Sequence, residues 1–224
     1  SIISNDFSWQ WIPSVWASSF GDELWIRLVV GFIGGMLLGF GARWADGCTS
    51  GHGISGTMQM AVSGWISAIC FFIGGIIMGQ LLLTDFTVLK IMLTAAITGM
   101  IGIYFMQSRK WIELHVKSGS LGKNVIGGLI FGLGFALLGY CPGTIAGAIG
   151  NGYLDATTAG LAGIILGSGI FAAVYPIVKT NVLEWGNYGN LTLPQLLRTK
   201  TWVVIIPLAA ILIFLMYLLE QAGL

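Results

Sequence analysis

The chain has 224 residues, of which 56% are hydrophobic and only 8% charged, with a mean hydropathy of +0.88. A soluble domain carries roughly a quarter charged residues, so this composition excludes one and defines an integral membrane protein. A formal net charge of +1 without any basic cluster excludes nucleic acid as a partner.

The opening stretch, SIISNDFSWQWIPSVWASSF, has no basic front followed by an apolar run, so no secretory signal is expected there. Trp9, Trp11 and Trp16 make residues 1–23 an interfacial segment. A membrane span needs about 20 mainly apolar residues. Six such spans are predicted, at 24–44, 62–83, 86–106, 121–140, 155–178 and 201–219. The polar breaks fall at Thr84–Asp85, at RKWIELHVKSGS (109–120), around Asn151–Asp155, and at NVLEWGNYGNLTLPQLLRTK (181–200). Two further stretches, 49–60 and 142–150, each follow a cysteine and are too short to cross. They read as half-helices or re-entrant turns, which a membrane tolerates only where protein buries them or where they line a cavity. The 34 glycines fit this picture, because helices in lipid pack through small residues.

Basic residues set the expected orientation. With the 109–120 and 181–200 loops in the cytoplasm, Arg43, Arg109, Lys110, Lys117, Lys123, Lys179, Arg198 and Lys200 all lie inside. Arg27 and Lys90 remain on the other side with Asp6, Asp22, Glu23, Asp85, Asp155 and Glu220. The positive-inside rule then places both termini outside the cell membrane.

GARWADGCTSGHGISG (41–56) and GGLIFGLGFALLGYCPGT (127–144) are copies of one another. Cys48 and Cys141 stand 93 positions apart, and the same shift lays Gly35 on Gly128, Gly39 on Gly132, Gly41 on Gly134 and Gly74 on Gly167. Each copy holds three crossings, 24–106 in the first and 121–219 in the second. An odd number of crossings inserts the second copy upside down, so that Cys48 approaches from the cytoplasmic half and Cys141 from the outer half. The expected fold is therefore an all-α membrane protein of about six transmembrane helices in two inverted three-helix repeats. A short re-entrant or half-helix follows each motif cysteine. Inverted repeats with interrupted helices at the midplane recur in transporters.

The motifs carry chemistry suited to a small ligand. In Cys141-Pro142-Gly143-Thr144 the proline favours the first position of a helix, which puts Cys141 at the cap with free amides ahead of it. Helix starts attract anions and lower the pKa of a thiol. Cys48-Thr49-Ser50-Gly51-His52-Gly53 supplies hydroxyls, an imidazole and two glycines that let backbone approach a ligand. A soft sulfur among hydrogen-bond donors suits a sulfur-bearing anion, whereas sulfate would meet arginine or backbone donors alone. Simpler roles compete. Cys70, alone in an apolar run, reads as a packing residue. The glycine ladder reads as helix packing, His115 as a solvated loop residue, and the scattered methionines as filler. Arg43 and Asp46 either pair at the membrane edge or gate the adjoining cysteine, and His52 is either a ligand contact or a structural residue. Without C-x-x-C spacing the three cysteines make neither a disulfide framework nor a metal site. No cofactor motif and no phosphate-binding loop is present, so the chain itself does not use ATP.

At these residues the chain resembles the YeeE/YedE membrane proteins, a sulfur-transport family. GARWADGCTSGHGISG looks like the first family signature and GLIFGLGFALLGYCPGT like the second. The pair also resembles the short PmpA-like and PmpB-like proteins joined in one chain. The resemblance covers about 31–80 and 124–172. It implies uptake of a small sulfur compound, with thiosulfate the best-known substrate class, passed along the thiols of Cys48 and Cys141 by S–H hydrogen bonds. Longer members have more spans and a further functional cysteine near the chain start; Cys70 matches neither signature. The expected activity is that of a permease rather than an enzyme, its partners being a sulfur anion, the bilayer and a cytoplasmic sulfurtransferase. A membrane thiol–disulfide protein, a carrier of persulfide, sulfide or selenium species, and a scaffold for a sulfurtransferase stand as alternatives.

Overall fold

The structure, a computed structural model, describes residues 23–78, 87–199 and 201–221. Trp9, Trp11 and Trp16 of the amino-terminal segment and the break at Thr84–Asp85 lie outside these residues. The protein is an all-α membrane protein. Its helices are α1 (Leu24–Trp44), α2 (Val62–Met78), α3 (Thr87–Ser108), α4 (Gly127–Leu138), α5 (Ile145–Gly150), α6 (Ala162–Val178), α7 (Leu193–Leu196) and α8 (Thr201–Gln221). Wider π-helical turns lead into α4 (Gly122–Ile126) and α6 (Ala156–Leu161), so both run as longer continuous helices. Among the described residues three helices are long and apolar enough to cross a membrane: Leu24–Trp44, Ala156–Val178 and Thr201–Leu218. Val62–Gly75, Leu93–Ser108 and Gly122–Leu138 are shorter apolar helices. Each falls on a predicted span.

Four helices lie side by side in the order α2, α4, α1, α6. Glycine explains how closely they approach. Two stripes run along α1, Gly31/Gly35/Gly39 toward α6 and Gly34/Gly41 toward α4. A Cβ on Gly41 would lie 2.4 Å from the amide nitrogen of Phe131, and one on Gly134 would lie 2.4 Å from that of Leu38. A Cβ on Gly39 would lie 2.3 Å from the Ile164 carbonyl, and one on Gly132 would lie 2.3 Å from that of Phe71. Glycine costs about 1 kcal/mol relative to alanine in a helix interior. Backbone-to-backbone contact in lipid offsets that cost.

These contacts come in exchanged pairs. If residue i touches the residue 93 beyond j, then j touches the residue 93 beyond i: Gly41 with Phe131 against Leu38 with Gly134, and Met36 with Gly167 against Gly74 with Leu129. Reciprocal contact of this kind is the mark of a two-fold axis. Gly34 meets Leu137 and Leu138 while Gly41 meets Phe131 and Gly127, so α1 and α4 are antiparallel and the axis lies across them. The duplicated sequence therefore folds as inverted halves.

The core follows the same seam. Leu38, Ala45, Phe71, Phe131, Leu138, Ile145, Ala148 and Ala156 form the central cluster, and Cys48 and Tyr140 pack against it. Outside it, α3 and α8 meet around Met60, Met100, Tyr104 and Ile205. Large apolar side chains on α6 (Ile165, Leu166, Ile177) and α8 (Ile206, Ile211, Phe214) are exposed, as lipid-facing surfaces require. The polar loops meet at one end. A two-stranded antiparallel ribbon, unforeseen in the sequence, pairs β1 (Gly119–Ser120) with β2 (Asn187–Gly189). Leu193 N donates to Met60 O at 2.9 Å and Trp44 Nε1 to Gly122 O at 3.1 Å. The 109–120 and 181–200 loops thus share a side with the carboxyl end of α1.

Candidate functional site

Both motif cysteines follow the same local event, a helix stopped by one residue in the left-handed conformation. On α1 that residue is Asp46 (φ 61°) and on α4 it is Gly139 (φ 80°), again 93 positions apart. Gly47 N donates to Ala42 O at 3.0 Å and Asp46 N to Arg43 O at 3.3 Å, closing α1 as a Schellman motif. Gly139 N donates to Phe135 O at 2.9 Å to close α4. Because α1 and α4 are antiparallel, the two cysteines leave the bundle past opposite ends of the pair.

The chain then turns back in equivalent ways. The Cys48 carbonyl accepts from His52 N at 2.8 Å, and the Cys141 carbonyl accepts from Ile145 N at 3.0 Å. Cys48 is extended (φ −112°, ψ −172°) and opens the π-helical turn Thr49–Gly56, while the second break holds α5. Both thiols are free and half-buried, and each is held by a hydroxyl from its own motif. Cys48 Sγ is hydrogen-bonded to Ser50 Oγ at 3.0 Å. Cys141 Sγ accepts from the backbone amide and the hydroxyl of Thr144, both at 3.3 Å, while Thr144 Oγ1 accepts from Cys141 N at 3.0 Å. This reciprocal exchange has the pattern of a capping box with sulfur in the place of the usual oxygen, but it closes the turn ahead of α5, whose own cap is Thr144. Pro142 lies in the turn ahead of α5, not at its first residue, and a helix of six residues has a weak dipole. Donors from Thr144, not a helix field, therefore surround this sulfur.

Space adjoins the motifs. Among the described residues a Cβ on Gly51 or Gly147 would meet nothing within 4 Å, and one on Gly143 would meet only Cys141 Sγ, at 3.8 Å. Thr49 is half-buried and Gly53 buried. His52 is buried against Gly47, and its Nδ1 has no hydrogen-bond partner among the described residues. Asp46 pairs with Lys117 (3.9 Å), whose ammonium also donates to the Asp46 carbonyl at 2.9 Å. Among the described residues the ion pair of Asp46, whose left-handed backbone ends α1, is with Lys117 of the 109–120 loop and not with Arg43. Cys70 is buried in the α2–α4 contact against Gly128, where it packs.

A third feature had no counterpart in the sequence reading. Arg27 and Asp155 are each 1% exposed and form an ion pair across 128 positions of sequence. Arg27 Nε and Nη2 donate to Asp155 Oδ2 at 2.9 and 2.5 Å, and Nη2 donates to the carbonyl of Leu138, the last residue of α4, at 2.8 Å. The ring of Tyr140, next to Cys141, lies 5.8 Å from the guanidinium carbon. An arginine one turn inside an apolar span was the available signal, since such a charge requires a partner. A cleft of about 830 Å³ lies elsewhere, among Tyr104, Lys110, Glu113, His115, Asn190 and Arg198 at the loop end. The motif residues do not line it.

Crossing helices, inverted halves and a paired thiol-bearing break define a polytopic membrane protein of the inverted-repeat class. The chain belongs to the Sulphur transport family, whose model matches it twice, at residues 14–77 and 75–223. A stretch of 50 residues, 22% of the chain, is 44% identical to the thiosulfate transporter TsuA of Spirochaeta thermophila. That match spans only 15% of the relative's length. No solved structure matches the chain.

Proposed function

We propose that the chain is a permease for a small sulfur-containing anion, thiosulfate foremost, with Cys48 and Cys141 as successive contacts on a narrow path. One observation carries this reading: two free thiols occupy equivalent breaks of an inverted pair, and each is flanked by a hydroxyl and by glycines with open space beside them. Family membership and the similarity to a thiosulfate transporter support the substrate class. An anion crossing a bilayer loses its water at great cost, so donors must replace that water step by step. Ser50 and Thr144 supply hydroxyls at the two thiols, with Thr49 and His52 nearby and Gly51, Gly53, Pro142 and Gly143 shaping the backbone. The reading divides the chain into repeats at 24–106 and 121–219. It places the ribbon side in the cytoplasm of the cell membrane, where the basic loops would receive a sulfurtransferase. Arg43 and Asp46 border the path on that side.

The test is uptake of radiolabelled thiosulfate by the purified chain in liposomes. Cys48→Ala and Cys141→Ala should each abolish it while expression and melting temperature hold. Full uptake in both variants removes the thiols from the mechanism. A Cys48–Cys141 disulfide that forms and breaks during turnover, read by mass spectrometry after alkylation, favours the redox alternative instead. Competition by sulfide, persulfide or selenium compounds fixes the preferred substrate.

A further inference from the structure

The cleft at the loop end lies apart from the cysteine motifs, and its lining is that of a second binding site. Its volume of about 830 Å³ falls in the range of small-molecule sites and exceeds what one small anion fills. Two cations, Lys110 and Arg198, line it with a single carboxylate, Glu113. Among the described residues none of these three has an ion pair. His115, Asn190 and Thr199 add an imidazole, an amide and a hydroxyl.

The backbone singles out the two cations. Among the described residues four non-glycine residues are left-handed, and two of them, Lys110 (φ 58°) and Arg198 (φ 51°), line this one cleft. Each stands just past a helix end, where glycine is usual. Lys110 N donates to Gln107 O at 2.9 Å and Trp111 N to Met106 O at 3.1 Å, closing α3 as a Schellman motif. Arg198 N donates to Gln195 O at 3.3 Å and Thr199 N to Pro194 O at 3.2 Å, closing α7 the same way. A long cationic residue where glycine sits without cost is an outlier that points to function.

The level of the cleft identifies the ligand. Tyr104 and Gln107 belong to the end of the apolar helix Leu93–Ser108, and Thr201 opens the spanning helix Thr201–Leu218. The cleft therefore opens where two apolar helices leave the bilayer. Trp111 and Trp202, each next to a lining residue, are exposed, as aromatic residues are at the headgroup level. Basic pockets between spanning helices bind anionic headgroups. We infer that this cleft binds the headgroup of an anionic phospholipid, with Lys110 and Arg198 holding its phosphate. His115, Asn190 and Thr199 hydrogen-bond the polar group beyond the phosphate. The bound lipid ties the end of α3 to the start of α8, two helices that pack together outside the central row. This inference does not depend on what the chain transports.

The full chain in neutral detergent is titrated with short-chain phosphatidylglycerol, and retained lipid is counted by native mass spectrometry. Phosphatidylglycerol should be retained in preference to phosphatidylcholine of the same chain length, and less so as salt rises. Each cation at a headgroup contributes about fivefold in affinity, so Lys110→Gly with Arg198→Gly should weaken retention about thirtyfold. Glycine suits both backbones, so the melting temperature should hold. Lys110→Arg with Arg198→Lys, which keeps both charges, should keep most of the retention. Glu113→Gln removes the opposing carboxylate and should tighten retention about fivefold, a gain that misfolding cannot mimic. Equal retention of the two lipids, or retention unchanged by the glycine pair, overturns the inference. Inorganic phosphate or glycerol phosphate binding as tightly as the lipid makes the cleft a site for a free anion and overturns the lipid assignment. A glutamate-rich peptide that binds where the lipid does not makes it a protein-docking surface, with the same result.

Discussion

Thr144 supplies both contacts that hold the Cys141 sulfur, one from its amide and one from its hydroxyl. Replacing it with valine keeps the shape and the amide but removes the hydroxyl. A neutral hydrogen bond contributes about 1 kcal/mol, so Thr144→Val should slow uptake about fivefold with little change in melting temperature. Uptake at the unaltered rate would show that the hydroxyl takes no part. Asp46 permits a different test, because its left-handed backbone suits glycine and its ion pair with Lys117 is exposed on both sides. Asp46→Gly should leave stability within about 1 kcal/mol and transport unchanged if the residue is a helix cap. A large loss of uptake with normal folding makes it part of a gate. The sequence disclosed the thiols and their hydroxyls, because those residues lie within three positions of each other. It did not disclose the Arg27–Asp155 pair, because nothing local links residues from two different spans.

At the level of elements, the glycine stripes decide which helices can touch. A side chain on Gly39 or Gly132 would drive into a backbone carbonyl at 2.3 Å, and backbone cannot step aside as a flexible side chain can. Gly39→Val and Gly132→Val should each destabilise the fold by about 3 kcal/mol or more, within the range for overpacked cores. Gly75→Ala and Gly102→Ala, where a Cβ meets nothing within 4 Å among the described residues, should be neutral or slightly stabilising. Thermal melts in detergent compare the four. Spans and repeat were legible because a 93-residue shift and runs of apolar residues are written in the chain itself. The neighbours of each helix were not, since a glycine stripe shows that something packs there without showing what. The ribbon at Gly119–Ser120 and Asn187–Gly189 escaped notice because strands of two and three residues leave no alternating pattern.

For the whole molecule, the ribbon fixes one fact that charge counting only suggested: the loops at 109–120 and 181–200 lie on the same side. Single cysteines placed at Glu113 and Arg198, in a background where the native three are replaced by alanine, should react with an impermeant maleimide from the same face of the membrane. The orientation proposed above would make that face the cytoplasmic one. Labelling from opposite faces would break the described arrangement.

The row α2, α4, α1, α6 interleaves the two halves, for α4 sits between two helices of the first half and α1 between two of the second. A ribosome completes α1 and α2 well before α4 exists. The early helices must therefore wait in the lipid with their notched surfaces uncovered, until the later ones insert in reverse and slide between them. Newly made chains should be most vulnerable to membrane proteases during that interval, and a stop after residue 108 should yield a fragment that is cleared rather than stored.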